Sequence, residues 1–285
     1  MATRLLPSYA RALLRGRGEP WESGLLPEAE TRLPDVLADR GRLAAYARVC
    51  GFGALDRMPS TYPHVLAFPA ALELMTRKSF PLPPLGLLHV ANRISVRRPL
   101  GVQERLELRV RAACLRPCPV GIAFDLVASA VDYSGEVAWE SASTSVHRER
   151  PRPQSKGAAS QGDGPQAFTL AAHWSVPANA GRRYAAVSGD RNPIHLHPLT
   201  ARPFGFRAPI AHGMWTKARV LAVLEPNLPS AYDVEVAFRA PVPLPSAVRL
   251  RAAPHATKDG NGIRFALTAA DGGRVHLDGT VTFQS

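Results

Sequence analysis

The sequence predicts an α+β chain made of two similar halves, and three observations carry that prediction. A stretch from Arg148 to Gln166 holds almost no large apolar residue and is rich in proline, glycine, serine and charge, the makeup of an exposed linker. Each half ends in the same pattern of alternating strand, turn, strand, glycine-containing turn and strand. Upstream of those strands, each half has one helical stretch that is apolar nearly all round, as a helix wrapped by a sheet must be. The chain has 285 residues, 46% of them hydrophobic and 20% charged, which is enough for two domains of ordinary size. We place the first at 1–147, the linker at 148–166 and the second at 167–285.

In chain order, the first twenty residues carry Arg4, Arg11, Arg15 and Arg17 with no acid before Glu19. Such a segment reads either as an organelle transit peptide or as a helix that packs Tyr9, Leu13 and Leu14 on the body. The first places the protein in the mitochondrial matrix, the second, which we favour, in the cytoplasm. The first apolar helix spans about Val65 to Met75, and Pro69 is a point where it could kink. The strands that close the first half lie within Leu106–His147, and Ser134-Gly135 supplies a turn. In the second half, Ala178–Ser188 forms a short helix with Asn179 as N-cap and Gly189 just past its end. The second apolar helix, Gly213–Leu224, stops at Glu225-Pro226. The closing strands occupy Val248–Phe283, with Asp271-Gly272-Gly273 as a hairpin turn. Gly262-Ile263-Arg264-Phe265 answers Gly121-Ile122-Ala123-Phe124 of the first half.

Composition narrows the function classes. No run approaches the roughly 20 apolar residues that a membrane span needs. Three cysteines, Cys50, Cys114 and Cys118, are too few and too oddly numbered for a disulfide framework. Cys114 and Cys118 resemble half a zinc site but lack a second pair, so we read them as unpaired thiols on a strand and its turn. The formal charge of +12 comes from scattered arginines rather than a basic block with interleaved aromatics, and no nucleic-acid-binding signature is present. Such a field would attract an anionic carrier such as coenzyme A or acyl carrier protein. A general arginine bias produces the same charge.

The segment Tyr184–Leu224 carries chemistry. After Gly189, Asp190 opens a turn whose backbone is fixed by Asn192 and Pro193. His195 follows immediately, so a carboxylate and an imidazole share one short rigid loop, as acid–base groups require. Further on, Ala211-His212-Gly213-Met214 opens the apolar helix. Amides at a helix start lack intrahelical partners and face positive potential, and Gly213 has no side chain to block a ligand. Its N–H could therefore hold a thioester oxygen while an enolate forms.

This stretch resembles the MaoC-like, or hydratase 2, family of (R)-specific enoyl-thioester hydratases and 3-hydroxyacyl-thioester dehydratases. The resemblance rests on Tyr184, Ser188, Gly189, Asp190, Asn192, Pro193, Ile194, His195, His212, Gly213 and Met214 in fixed order and spacing. It implies a hot-dog fold, a curved antiparallel sheet around one helix, present twice. It further implies a hydro-lyase that interconverts (R)-3-hydroxyacyl and trans-2-enoyl thioesters with no cofactor. Asp190 and His195 would handle the water and the substrate proton, the Gly213 amide would be the oxyanion donor, and Ser188, Asn192, His212 and Met214 would line the substrate. The first half lacks the loop and is expected to be a degenerate, non-catalytic hot dog that makes room for acyl chain. Leu85–Leu100 is similar to the strand and turn of two-hot-dog members. Such a chain can be a monomer or a homodimer.

Blander readings stand beside these. Asp190 and Asn192 alone are ordinary turn formers. His195 and His197, two apart, could be a metal pair, but Pro198 follows at once and no third ligand beyond Asp190 is evident. We therefore expect no metal, and a structural His197. The blander reading of His212 is that it orients the loop. Trp215 is expected in the core and Lys217 in solvent, and Arg182 and Arg183 are either phosphate contacts or a solvated face. Two other functions use related parts. A hot-dog thioesterase needs a carboxylate at the central helix, where none precedes Glu225, and a non-catalytic acyl-binding protein has no need of the Asp190/His195 pair.

Overall fold

The computed structural model describes residues 26, 30–53, 56–148, 170–257 and 260–284. The arginine-rich N-terminus and nearly all of the expected linker lie outside the described residues.

Strand β1 (Thr31–Leu37) leads into helices α1 (Arg40–Cys50) and α2 (Tyr62–Met75). Four strands follow: β2 (Leu88–Val96), β3 (Arg105–Cys118), β4 (Gly121–Val131) and β5 (Val137–Arg148). The second half repeats the scheme with β6 (Leu170–Val176), α3 (Ala180–Ser188), a short α4 (Pro198–Ala201) and α5 (Gly213–Leu224). It closes with β7 (Tyr232–Phe238), β8 (Ser246–Thr257), β9 (Gly260–Ala269) and β10 (Val275–Phe283). All ten strands form one sheet in the order β1-β3-β4-β5-β2-β7-β10-β9-β8-β6. Read outward from the central β2–β7 pair, the two halves have the same strand order. That is the repeat seen in the sequence, written in topology.

Alternation explains how each strand faces the core. Leu106, Leu108 and Val110 of β3 turn inward while Arg105, Glu107 and Arg109 turn out. In β8, Val248, Leu250 and Ala252 do the same against Arg249 and Arg251. The α2 sequence is apolar all round, and buries Val65, Leu66, Ala67, Ala70, Leu72 and Leu74; Pro69 sits inside it. The positive-φ glycines Gly135 (φ 85°) and Gly272 (φ 78°) make the turns between β4 and β5 and between β9 and β10. Cys114 and Cys118 are free thiols at a bulge and at the end of β3.

Four features differ from the sequence reading. Helix α1 has no counterpart in the sequence reading, although Asp39 caps it by accepting the Arg42 amide and Gly51 ends it in the left-handed region. The strands β1 and β6 at the two sheet edges were also not read. Asn179 stands at the cap position of α3, but its side chain makes no capping hydrogen bond.

The fourth is Lys217, which is fully buried rather than solvent-exposed. Its Nζ donates to Asn92 Oδ1 at 2.5 Å, the Asn92 carbonyl at 3.3 Å and the Val234 carbonyl at 3.1 Å. Asn92 lies on β2 and Val234 on β7, so this cation sits under the seam between the halves. Asn92 in turn donates through Nδ2 to Ser141 and Ser143. Burial holds the Lys217 ammonium well below the ordinary lysine pKa, and three acceptors for its three protons oppose that cost.

Candidate active site

The loop after α3 is held from both ends. Gly189 ends the helix at φ 83°, its amide donating to the Ala185 carbonyl. Ser188 Oγ accepts the Asp190 amide at 3.1 Å, and Asp190 Oδ1 accepts the Asn192 amide at 3.0 Å. The turn then presses on α3: a Cβ at Gly181 would lie 2.0 Å from the His195 carbonyl oxygen, so only glycine allows this approach. Asn192 ties the loop to the first half. Its Oδ1 accepts the Gly86 amide at 3.4 Å and its Nδ2 donates to the Leu87 carbonyl at 3.3 Å. That link to the first half is not readable from local spacing.

His195 is 8% exposed, and its Nδ1 lies 2.8 Å from the Ile210 carbonyl. A carbonyl only accepts, so Nδ1 carries the proton and Nε2 of the neutral ring keeps a lone pair. The His212 ring stacks on His195 with centroids 3.6 Å apart, and Tyr184 lies 4.8 Å away on the His212 ring. His212 Nε2 donates to the Asp190 carbonyl at 3.1 Å and is 3.8 Å from Asp190 Oδ2. His212 Nδ1 is buried with no partner among the described residues. One ligating atom from each of Asp190, His195 and His212 falls within 4.8 Å of the others. His197 is elsewhere: it is exposed, and its Nδ1 caps α4 by accepting the Leu199 amide.

Burial sets the protonation. It raises the Asp190 carboxyl, with the facing His195 pulling the other way. It lowers His195, opposed by Asp190 and the Ile210 carbonyl, and lowers His212, assisted by His195. Desolvation penalises whichever form is charged, so acid and base are both pushed toward neutrality.

These groups open on a cavity of about 530 Å³, also lined by Ser188, Asn192, Gly213 and Met214. Gly213 is the first residue of α5, where amides have no intrahelical acceptor. A Cβ there would lie 3.1 Å from the Phe238 ring. The cavity therefore brings together all seven residues expected from the sequence. It also holds residues that the sequence reading missed, notably Phe238, His64 and His89. No local motif marks those three, since they arrive from β7, α2 and β2.

A family model described as "MaoC like domain" matches residues 162–270. The 3-hydroxyacyl-thioester dehydratase X of Mycobacterium tuberculosis is 36% identical over 264 residues, covering 90% of each chain. The crystal structure of HtdX from the same organism superposes with a TM-score of 0.77, at 35% identity, over 89% of this chain and 99% of its own. Another M. tuberculosis protein, described as having a double hotdog fold, is 17% identical and superposes with a TM-score of 0.60 over 92% of this chain and 97% of its own. That last likeness is one of fold, and it matches the two sheet-wrapped helices seen here. With nine-tenths of its length aligned to a dehydratase and the motif loop in place, the chain belongs to the MaoC-like dehydratase family.

Proposed function

We propose that Asp190 and His195 interconvert an (R)-3-hydroxyacyl thioester and the trans-2-enoyl thioester plus water, with the Gly213 amide holding the thioester oxygen. The chain is a hydro-lyase of hydroxyacyl thioesters, as its family membership gives. The observation that carries the residue assignment is the His195 Nδ1–Ile210 carbonyl bond, which leaves the Nε2 lone pair free beside a carboxyl that burial inclines to hold its proton. In the dehydration direction His195 Nε2 takes the proton from C2 while the Gly213 amide stabilises the enolate oxygen. The Asp190 carboxyl gives its proton to the C3 hydroxyl, which leaves as water, and the imidazolium then returns a proton to Asp190. Hydration is the reverse.

The first half is proposed as non-catalytic, since its helix α2 is preceded by no Gly-Asp-x-Asn-Pro-x-His loop. Its contribution is a wall of the cavity through α2 and β2. The carrier is proposed to be a phosphate-bearing pantetheine thioester, which the net charge of +12 would attract. The reaction is proposed to use no metal. Activity should survive exhaustive chelation, and loss with recovery on added zinc would overturn that point. Hydration of crotonyl-CoA, followed as loss of enoyl absorbance, tests the function itself. Release of free thiol without hydration would favour a thioesterase, and binding without either reaction a non-catalytic acyl-thioester-binding protein.

A further inference from the structure

The wall that the first half contributes is not purely apolar. His64 of α2 and His89 of β2 both line the cavity. Their rings lie 6.2 Å apart and 15° from parallel. The pair is one phenyl ring from the proposed oxyanion site: Phe238 packs on Gly213 on one side and lies 5.0 Å from the His89 ring on the other. Ser145, the cross-strand partner of His89, lines the same space, as does Ser143. Ser143 Oγ already accepts from Asn92, so its own proton remains to donate.

Burial pushes His64 down to about 4 and His89 to about 3, with the Lys217 ammonium adding to both, so the imidazoles are neutral near pH 7. A neutral imidazole has one donor and one acceptor nitrogen. His89 uses one nitrogen on the Ala91 backbone, while its Nε2 is buried and pairs with no protein group among the described residues. A polar atom so placed costs about 1–3 kcal/mol unless something bonds to it. Asp190 is the only acid lining the cavity among the described residues, so the pair has no carboxylate to answer. Two nitrogens without a third ligand do not make a metal site.

Building on the acyl-thioester reading, we propose that His64 and His89 form a subsite for a hydroxyl group on the acyl chain beyond C3. The substrates it favours are thus oxygenated acyl thioesters rather than plain aliphatic ones.

Binding by the full-length protein tests this without requiring turnover, so its failure is distinguishable from failure of the dehydratase reading. Saturated hexanoyl-CoA and octanoyl-CoA are compared with their terminally hydroxylated forms by isothermal titration. The hydroxyl should tighten binding by about tenfold at one of the two lengths, a difference typical of one well-made hydrogen bond. His89→Leu or His64→Leu should erase the hydroxyl preference, and His89→Gln should retain part of it. A wild-type protein that binds the plain chain as tightly as the hydroxylated one at both lengths overturns the proposal. So does a preference that survives in both leucine variants. The wild-type comparison decides even if a variant does not fold.

Discussion

Asp190 and His195 are displaced in opposite directions by burial, the carboxyl upward and the imidazole downward, each toward its neutral form. Replacing either by a residue of similar shape that cannot transfer the proton should lower kcat by about 10² or more while the protein stays folded. Asp190→Asn and His195→Gln are the variants, and near-wild-type turnover in either removes that residue from the mechanism. The pH profile gives a separate check. His195 must be neutral to act as base, and its folded-state pKa lies below the ordinary imidazole value of about 6.5. The acid limb of kcat/KM should therefore fall below that value. A limb at or above it would mean that burial does not govern this ring.

At the scale of elements, the site depends on contacts that join loop to loop rather than residue to neighbour. Asn192 reaches Gly86 and Leu87 of the first half, so the Asp190–His195 loop is braced by a segment more than 100 positions away. Asn192→Ala removes both bonds and leaves the Asx turn at Asp190 intact. We expect about 1–2 kcal/mol of lost stability, from two partly buried hydrogen bonds, with turnover reduced more than the KM changes. Chemical denaturation together with steady-state kinetics checks this; a variant unchanged in both would show that the loop is rigid without the brace. The burial of Lys217, against the expectation of solvent exposure, has a related cause. Its position on α5 is set by local pattern, but its acceptors come from β2 and β7, and only their arrival makes a buried ammonium tolerable.

For the whole molecule, β2 and β7 are the junction of the sheet. A fragment starting near Gln166 leaves β7 without its partner and Lys217 without Asn92. Open strand edges and uncovered apolar faces promote association, so this fragment should be insoluble or a homodimer. Light scattering that shows a stable monomer would refute the prediction. Acid should also unfold the full chain early. His64 and His89 have folded-state values of about 4 and about 3, below the unfolded value, so the unfolded state binds more protons than the native one below about pH 6.5. Stability should be full above that pH and fall as pH drops toward 4. Thermal melts between pH 7 and 4 measure it, and a flat melting temperature over that window would contradict neutral burial of these rings.

The sequence by itself determined the fold class, the repeat and the motif loop. Apolar periodicity, glycine turns and the run from Tyr184 to Met214 are local patterns, legible without knowing what lies across the sheet. Helix α1 was legible too, from Asp39 and Gly51, though its apolar face is narrow. Tertiary structure alone decided the His195–His212 stack, the Asn192 brace, the buried Lys217 and the His64/His89 wall. Each joins residues from separate elements, and a side chain's hydrogen-bond partners, burial and protonation are properties of the packed neighbourhood rather than of the chain order.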